Sequence, residues 1–430
     1  MKQPLIVPDI TLEKFVHGGQ VLGHLPDGKS VFVWGGLPGE QVDLRILKQK
    51  SSYAEAIVSA VSKKSSDRVE PAEPQIYLST SPWQILSWQA ENRAKQDILS
   101  ECFQREGLEI MWADFQSGSG QGSPELHYRN KMEFGFFGDE EGLHLAHYVR
   151  GSHGKQITTG SVLAMAPINA AAQAIATELN RLKLWGGDLK TITLRCSQAG
   201  ETVGALFIKK DSLDLSSFKM PKVLKGLDIY YSNPKSPASV PTKKVLSFGS
   251  TELEDTLLGK PLRYSVLSFF QVNLPIFTRV LERINELTKK SAKIDLYSGV
   301  GSIGIALSGT DVLVESDTDN IRMAQQNAQG TKLQVIQAAS EHALTYIDAQ
   351  HTIIVDPPRA GLHADLVKRL LEVVPPKIVY LSCNPATQAR DVKLLSEKYA
   401  VSWAEGYNFF PRTPHIESLL VLERKPEAGA

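Results

Sequence analysis

The sequence has few cysteines and no long apolar run. The three cysteines in 430 residues, Cys102, Cys196 and Cys383, are too few and too scattered for a disulfide framework or a cysteine-ligated metal site. No segment approaches the ~20 apolar residues of a membrane span. The N-terminal stretch MKQPLIVPDITLEKF carries Asp9 and Glu13 and does not resemble a signal peptide. Together these absences predict a cytoplasmic protein without a membrane partner.

The chain also lacks an excess of charge of either sign. It has 47 Lys and Arg against 47 Asp and Glu, whereas nucleic-acid-binding domains are usually basic. The charge is uneven, however, because residues 209–244 contain eight lysines and three aspartates, with Phe218, Tyr230 and Tyr231 among them. Such a segment can follow phosphates and stack on bases, or it can be a solvated face. Both interpretations stay open.

The length and patterning of the chain predict three domains. Residues 1–61 contain short β-like runs separated by PDGK and LPGE, which favour a small antiparallel barrel. Residues 62–75 are polar, contain two prolines and are typical of a linker. Residues 76–260 predict a mixed α+β central domain, with a helix at ENRAKQDILSECFQRE and strands at KMEFGFF, LHLAHYV, KTITLRC and GALFIKK.

Residues 261–430 alternate strands with helices, which predicts a doubly wound, Rossmann-like α/β domain. The segment NLPIFTRVLERINELTKK has helical spacing. The predicted strands are KIDLY, VLVES, QVIQA, TIIVDPP, KIVYLSC and SLLVLERK. No internal repeat is visible.

A glycine motif opens this last domain. KIDLYSGVGSIGIAL is an apolar strand followed by Gly299, Gly301 and Gly304 in G-x-G-x-x-G spacing and then by a predicted helix. Glu315 ends the next strand, where a carboxylate can accept hydrogen bonds from ribose hydroxyls. The pattern fits a dinucleotide or the adenosyl group of S-adenosylmethionine. The same glycine spacing would also occur if the glycines served only to form the turn between strand and helix.

Three reactive side chains stand at the ends of other predicted strands. Asp356 ends the fourth strand in IIVDPPRAGL, and Cys383 ends the fifth in LSCNPATQARD. Glu417 precedes the last strand in FFPRTPHIESLL. Ligands of α/β sheets bind at the carboxyl ends of the strands. Each residue also has a simpler explanation: Cys383 could be a buried inert thiol, Asp356 part of an ordinary proline turn, and Glu417 a solvated strand end.

The motifs together resemble a known family. FFQVN, DLYSGVGSIG, DPPRAGL, SCNPATQARD and FPRTPHIE occur in the order and spacing of the RNA uracil-5 methyltransferases, which make 5-methyluridine in tRNA or large-subunit rRNA. HYRNKMEFGF resembles their central domain, and GGQVLGHLPDGKSVFVWGGLPGEQV resembles their TRAM barrel. The resemblance covers nearly the whole chain and implies a class I enzyme that uses S-adenosylmethionine.

The resemblance also implies roles for individual residues. Cys383 matches the nucleophile, and Glu417 matches the base that removes the C5 proton. The positions expected to bind S-adenosylmethionine or surround the reacting base are Gln271, Tyr297, Gly299, Gly301, Ser302, Glu315 and Asp356. The residues expected to contact RNA are Arg129, Lys131 and Arg359. RNA is the expected partner, a monomer is the expected state, and no metal is expected.

The chemistry explains why these residue types are needed. Uracil C5 is a poor nucleophile, and a thiolate adding to C6 turns C5 into an enolate-type carbon that can attack a methyl group. A base must then remove the C5 proton so that elimination releases the cysteine. The target base must leave its stack, and Cys383 must be accessible in a polar setting.

The sequence departs from the family in two places. Many TRAM-bearing members hold an iron–sulfur cluster on four cysteines, but here the corresponding positions fall near Ser79, Pro82 and Ser161. Serine and proline do not replace thiolate ligands, so no cluster is expected. An acidic residue expected near Ala338 or Ala339, on the adenine side of the cofactor, is also missing.

Several alternatives remain. DPPR is similar to the motif of amino-methyltransferases acting on adenine or guanine, although Arg359 stands where an aromatic residue would stack on the base. A non-catalytic RNA-binding protein is a further possibility. A nicotinamide oxidoreductase leaves Cys383 and Glu417 unexplained. Between the two RNA substrates the sequence favours 23S-type rRNA over tRNA, because TRAM-bearing relatives more often modify rRNA.

Overall fold

The N-terminal region forms a closed five-stranded barrel. We describe a computed structural model that covers residues 5–117 and 124–426. The barrel strands are β1 (Ile6–Phe15), β2 (Val21–His24), β3 (Ser30–Trp34), β4 (Gln41–Gln49) and β5 (Tyr53–Lys63), in the spatial order β1-β2-β3-β5-β4. Apolar residues at alternate positions, such as Val31 and Val33, fill its interior. The barrel confirms the prediction, but its expected all-antiparallel pairing is wrong, because β3 and β5 run parallel.

Two helices follow the barrel, and the longer one packs against the C-terminal region. They are α1 (Tyr77–Thr80) and α2 (Trp88–Arg105), separated by a 3-10 turn at Pro82–Ile85. Helix α2 begins at Ser87, whose hydroxyl accepts a hydrogen bond from the backbone of Ala90. Its apolar face, including Ile98 and Phe103, belongs to the same core as the C-terminal strands.

The central region is a seven-stranded sheet covered by one helix. Its elements are β6 (Lys131–Asp139), β7 (Gly142–Tyr148), β8 (Lys155–Ile157), α3 (Ala166–Arg181), β9 (Leu189–Cys196), β10 (Thr202–Ile208), β11 (Gly226–Tyr231) and β12 (Lys243–Gly249). The spatial order is β12-β11-β10-β9-β6-β7-β8. Helix α3 buries Ile168, Ile175 and Leu179 against this sheet.

The lysine-rich segment at 209–244 belongs to this sheet. Phe218 and Tyr230 are buried in hydrophobic cores, so neither is available for base stacking, one of the two interpretations left open above. The lysines that form ion pairs with nearby carboxylates are Lys210, Lys225, Lys243 and Lys244. Surface ion pairs contribute little to stability, but they reduce the positive charge that this face presents.

The C-terminal region is a hairpin followed by a mixed sheet. Its elements are β13 (Glu252–Leu257), β14 (Lys260–Ser265), α4 (Leu274–Thr288), β15 (Lys293–Leu296), β16 (Thr310–Glu315), α5 (Thr318–Asn327), β17 (Gln334–Gln337), β18 (Thr352–Val355), α6 (Ala364–Val373), β19 (Lys377–Ser382), α7 (Pro385–Leu395), β20 (Tyr399–Tyr407) and β21 (Glu417–Arg424). The sheet order is β17-β16-β15-β18-β19-β21-β20. Strands β15 to β19 are parallel, and β21 lies antiparallel between β19 and β20.

This topology confirms the predicted Rossmann-like fold. The strand order reverses between β15 and β18, which is where ligands of such sheets bind. The predicted helix after the glycine motif is wrong, because residues 301–306 form successive turns. The predicted domain division between residues 260 and 261 falls inside β14. Among the described residues, no helix combines the length and apolar character needed to cross a membrane.

Trp83 joins the barrel to the rest of the chain. Its buried indole lies 4.7 Å from the Phe15 ring, and its Nε1 donates a 3.0 Å hydrogen bond to the carbonyl of Gly19. A Cβ atom at Gly19 would lie 2.1 Å from Pro414, so only glycine allows this close approach. The barrel loop therefore rests on the segment that leads into β21.

We expect Trp83→Ala to lower the free energy of unfolding by about 3–5 kcal/mol, because it removes a large buried side chain and leaves a cavity. Urea unfolding followed by circular dichroism measures the change. Trp185→Ala is the matched control, because Trp185 is 68% exposed and its loss should change stability by less than about 0.5 kcal/mol. Equal effects of the two substitutions would contradict the docking role of Trp83.

Candidate active site

Three reactive side chains meet at the carboxyl edge of the C-terminal sheet. Asp356 directly follows β18, and Cys383 directly follows the neighbouring β19. Strand β21 pairs with β19 in antiparallel register, with Ser382 opposite Ser418. The next position along this register brings Cys383 opposite Glu417. The thiol and two carboxyl groups therefore come from three adjacent strands.

These groups line a cavity of about 760 Å³, a volume typical of small-molecule and cofactor sites. The sequence-predicted residues that line it are Arg129, Gln271, Tyr297, Glu315, Asp356, Arg359, Cys383 and Glu417. Lys131 lines a neighbouring cavity instead. Gly299, Gly301 and Ser302 shape the adjoining loop without lining the cavity itself.

The loop after β15 forms one wall of the cavity. Tyr297, Gly299 and Gly301 all have positive φ values, which produce a tight turn at the strand end. The Gly299 amide donates a 2.8 Å hydrogen bond to Oε2 of Glu315, while Oε1 accepts bonds from the amides of Ser316 and Asp317. This fixed carboxylate beside an open turn fits the ribose of an adenosyl group. A Cβ at Gly301 would lie 2.4 Å from Ile305, which explains the glycine.

The expected acidic residue on the adenine side has a nearby counterpart. Ala339 lines the cavity, as do Ser340 and Glu341. Glu341 therefore places a carboxylate at this wall two residues after the position where the sequence lacked one.

The opposite wall is held by the central sheet. Arg195 is fully buried in β9, and its guanidinium donates to the carbonyls of Ser268 and Phe270 at 2.8 and 2.9 Å. Asn130 donates to the carbonyl of Gln271 at 3.0 Å. These bonds fix the FFQVN segment, and the Gln271 amide in turn donates to Asp356 at 3.4 Å. The sequence analysis missed Arg195, although a charged residue within the apolar strand KTITLRC was a usable signal.

Cys383 is half-buried at the start of a helix. Asn384 caps α7 by accepting a hydrogen bond from the Ala386 amide, and a helix N-terminus favours a thiolate. Burial and the nearby carboxyl groups of Glu417 and Asp356 nevertheless raise the pKa of Cys383 to about 11, with Arg359 opposing them. The thiol is therefore neutral near pH 7 in the ligand-free protein.

The two carboxyl groups share this low-dielectric environment. Burial raises the pKa of Asp356 to about 7. Burial, followed by the charge of Asp356, raises the pKa of Glu417 well above its ordinary value, and Arg359 partly offsets this. Asp356 therefore titrates near neutral pH, and Glu417 holds its proton to a higher pH than an ordinary glutamate does.

Arg359 links the DPPR and SCNP motifs. Its guanidinium donates a 2.9 Å hydrogen bond to Nδ1 of His415. Burial, followed by the charge of Arg359, lowers the pKa of His415 to about 4, so the ring is neutral and Nδ1 can accept this bond. The Arg359 carbonyl accepts bonds from Asn384 at 2.8 Å and Thr387 at 3.2 Å. The arginine therefore stands beside Cys383 with its backbone fixed.

A buried ion pair on α2 holds the segment that precedes β21. Lys95 and Glu91 lie 2.9 Å apart with both side chains inaccessible to solvent. Lys95 also donates to Asn408 and to the carbonyl of Phe410, while Glu91 accepts from the Arg412 amide. The sequence analysis did not identify this pair, although two charges at i and i+4 on the apolar face of a helix are a recognisable signal.

The described residues contain no group of three or more His, Cys, Asp and Glu side chains placed to hold a metal ion. The positions expected for cluster cysteines, Ser79 and Ser161, lie together on the cavity that contains Lys131.

Comparison with known protein families identifies the family to which this chain belongs. The sequence profile described as tRNA (Uracil-5-)-methyltransferase matches residues 103–425, and that of the TRAM domain matches residues 7–59. The chain belongs to the tRNA (uracil-5-)-methyltransferase family. This membership confirms the predicted family, the class of RNA methyltransferase and S-adenosylmethionine as the methyl donor.

Similar proteins extend over the whole chain. A protein of Thermotoga maritima described as an uncharacterized RNA methyltransferase is 25% identical over 97% of this chain and 99% of its own length. A protein of Halalkalibacterium halodurans with the same description is 29% identical over 97% and 96%. The crystal structure of the Pyrococcus abyssi tRNA (uracil-54, C5)-methyltransferase with S-adenosyl-L-homocysteine has a TM-score of 0.77 and 22% identity, covering 96% of this chain and 99% of that one. This last likeness establishes the shared fold.

The raised pKa of Glu417 predicts a pH-dependent loss of stability. The folded protein keeps the Glu417 proton at pH values where the unfolded chain has lost it, so stability falls as pH rises above about 4.5. Glu417→Gln should remove this loss and be more stable than the wild type at pH 8, with the difference shrinking as the pH falls towards 4.5.

Urea unfolding at several pH values measures this difference. Glu423→Gln on the same strand is the matched control, because Glu423 is exposed and pairs with Lys377 at the surface. A Glu417→Gln variant that is less stable than the wild type at pH 8 would show that the carboxyl is ionised and satisfied in the folded protein.

Proposed function

We propose that the protein forms 5-methyluridine in RNA through a covalent adduct between Cys383 and uracil C6. The observation that carries this proposal is the position of Cys383 opposite Glu417 and beside Asp356, at the same cavity as Tyr297 and Glu315. A cavity of about 760 Å³ has room for a cofactor and a flipped base together.

In this proposal the Cys383 thiol loses its proton to a neighbouring carboxylate, and the resulting thiolate attacks C6 of the flipped uracil and makes C5 nucleophilic. S-Adenosylmethionine, when bound, supplies the methyl group that C5 takes up. Glu417 then removes the C5 proton, and elimination breaks the bond between Cys383 and C6. Arg359 and the N-terminus of α7 stabilise the thiolate that begins and ends the cycle.

The carboxyl groups suit these steps. A general base works best when its pKa lies near the working pH, and burial raises the pKa of Glu417 in that direction. Asp356 and Gln271 are linked by a hydrogen bond and line the same cavity, where they are placed to orient the uracil ring. Gln271, Tyr297 and Glu315, with the loop through Gly299, Gly301 and Ser302, form the proposed cofactor site.

We propose 23S-type rRNA as the substrate, on the basis of the TRAM resemblance, with Arg129, Lys131 and Arg359 contacting the RNA. tRNA, which is named for the Pyrococcus abyssi protein, is the alternative. Mapping 5-methyluridine in rRNA and tRNA from cells with and without the gene separates the two. We expect one rRNA uridine to lose its methyl group. Loss from tRNA alone would overturn the choice of substrate but not the chemistry.

The pair Cys383 and Glu417 gives the sharpest test of the mechanism. Cys383→Ala should abolish methylation and form no adduct with RNA, because no nucleophile remains. In Glu417→Gln, Cys383 should still add to C6 and C5 should still take up the methyl group. The C5 proton should then remain, so Cys383 is not released and a protein–RNA adduct should accumulate. A denaturing gel with labelled RNA detects the adduct, and Glu417→Gln combined with Cys383→Ala should remove it.

RNA containing 5-fluorouridine should trap the unmutated protein in the same way, because fluorine cannot leave C5 as a cation. Cys102→Ala is the matched control, since Cys102 is buried in α2 and should be dispensable for the adduct. Full activity in Cys383→Ala would rule out the mechanism. Methylation of a purine nitrogen, with no adduct on fluorinated RNA, would favour the amino-methyltransferase alternative.

A further inference from the structure

A second cavity adjoins the candidate active site. It has a volume of about 370 Å³ and shares Arg129 with the larger cavity. We call it the β6 pocket, and its lining residues are Ser79, Thr80, Arg129, Lys131, Met132, Glu133, His147, Ser161, Leu163 and Thr193. The pocket lies between the start of β6 and the segment around α1, outside the catalytic groups described above.

Lys131 is the unusual member of this pocket. It is half-buried in the first position of β6, opposite Arg195. Within residues 5–117 and 124–426 its ammonium group makes no hydrogen bond and no ion pair. Burial, followed by the charge of Arg195, lowers the pKa of Lys131 to about 7. Glu133 and Asp319 oppose this shift through their charges without accepting a hydrogen bond from Lys131. A partly desolvated ammonium that lacks a hydrogen-bond acceptor is costly, and a bound anion would relieve that cost.

The remaining groups of the pocket also favour an anion. Ser79 accepts a hydrogen bond from the Arg150 amide, and Ser161 accepts one from the Leu163 amide, so the proton of each hydroxyl is available for an acceptor. Burial lowers the pKa of His147 and keeps its ring neutral. Glu133 is the one carboxylate among the lining residues; it is exposed and accepts a 3.4 Å bond from Thr193.

We propose that the β6 pocket binds a backbone phosphate of the RNA next to the uridine in the active site. A bound phosphate favours the protonated form of Lys131, and the charges of Arg129 and protonated Lys131 then exceed that of Glu133 by one, which matches the charge of a single phosphodiester. Because Arg129 lines both cavities, a strand whose base enters the larger one passes this pocket with its backbone. The inference rests on the proposed function and adds a phosphate subsite to it.

Lys131→Met tests the subsite, because methionine keeps the volume and removes the charge. We expect RNA binding to weaken roughly tenfold at fixed salt, since charge-assisted hydrogen bonds are the strong ones. The slope of log affinity against log salt should become less steep by roughly 0.7 to 0.9, the contribution of one phosphate. The melting temperature of the free protein should not fall, because the substitution removes a partly desolvated charge that makes no hydrogen bond within the described residues.

Three comparisons make the test specific. Lys290→Met removes an exposed charge beyond α4 and should change neither affinity nor slope beyond the error of measurement. Lys131→Arg should keep most of the affinity and the full slope. In a short RNA with one 5-fluorouridine, replacing one flanking phosphate by a neutral methylphosphonate should weaken binding by the wild type but not by Lys131→Met.

The outcomes separate this inference from the proposed function. If the wild type forms no adduct with the fluorinated RNA, the proposed function fails. If the wild type forms the adduct but Lys131→Met keeps the affinity, the salt slope and the sensitivity to methylphosphonate, the phosphate subsite is overturned. A fall in melting temperature with unchanged RNA binding would assign Lys131 a structural role and likewise overturn it.

Discussion

The antiparallel pairing of β21 with β19 is the constraint on which the candidate site depends. Ser382 opposite Ser418 sets the register that brings Cys383 and Glu417 face to face. A slip of one residue would turn every side chain of a strand to the other face. Both strands are buried along nearly their whole length, so their apolar residues fix the register from both faces of the sheet. The core therefore determines the geometry of the candidate site.

The same burial disfavours the charged forms of the three reactive groups. Cys383, Asp356 and Glu417 all have raised pKa values because they lie in a low-dielectric edge beside one another. Such an arrangement lowers stability and persists only where the surroundings hold it in place. The surroundings here are charged and fully buried: Arg195 holds the FFQVN segment, and the Lys95–Glu91 pair holds the segment before β21.

The sequence predicted those parts of the fold that depend on local patterns. Apolar runs such as TIIV and KIVYLS identified buried parallel strands, and each reactive residue directly after one could be placed at the carboxyl edge. Strand β20 was missed because YAVSWAEGY mixes polar and apolar residues, and its burial depends on β21. The burial of Phe218 and Tyr230, which excludes them from base stacking, could not be predicted for a similar reason. Their surroundings come from distant segments that no local window contains.

The remaining unpredicted feature is that the site is composite. Arg129 and Lys131 come from the start of the central sheet, Gly19 from the barrel contacts Pro414, and α2 reaches the loop before β21. The proposed function requires a flipped base and its flanking backbone to be held at once, and groups on one sheet edge can contact only part of such a substrate. In that proposal, the three regions of the chain that meet at this edge provide separate surfaces for the base and for the phosphates beside it.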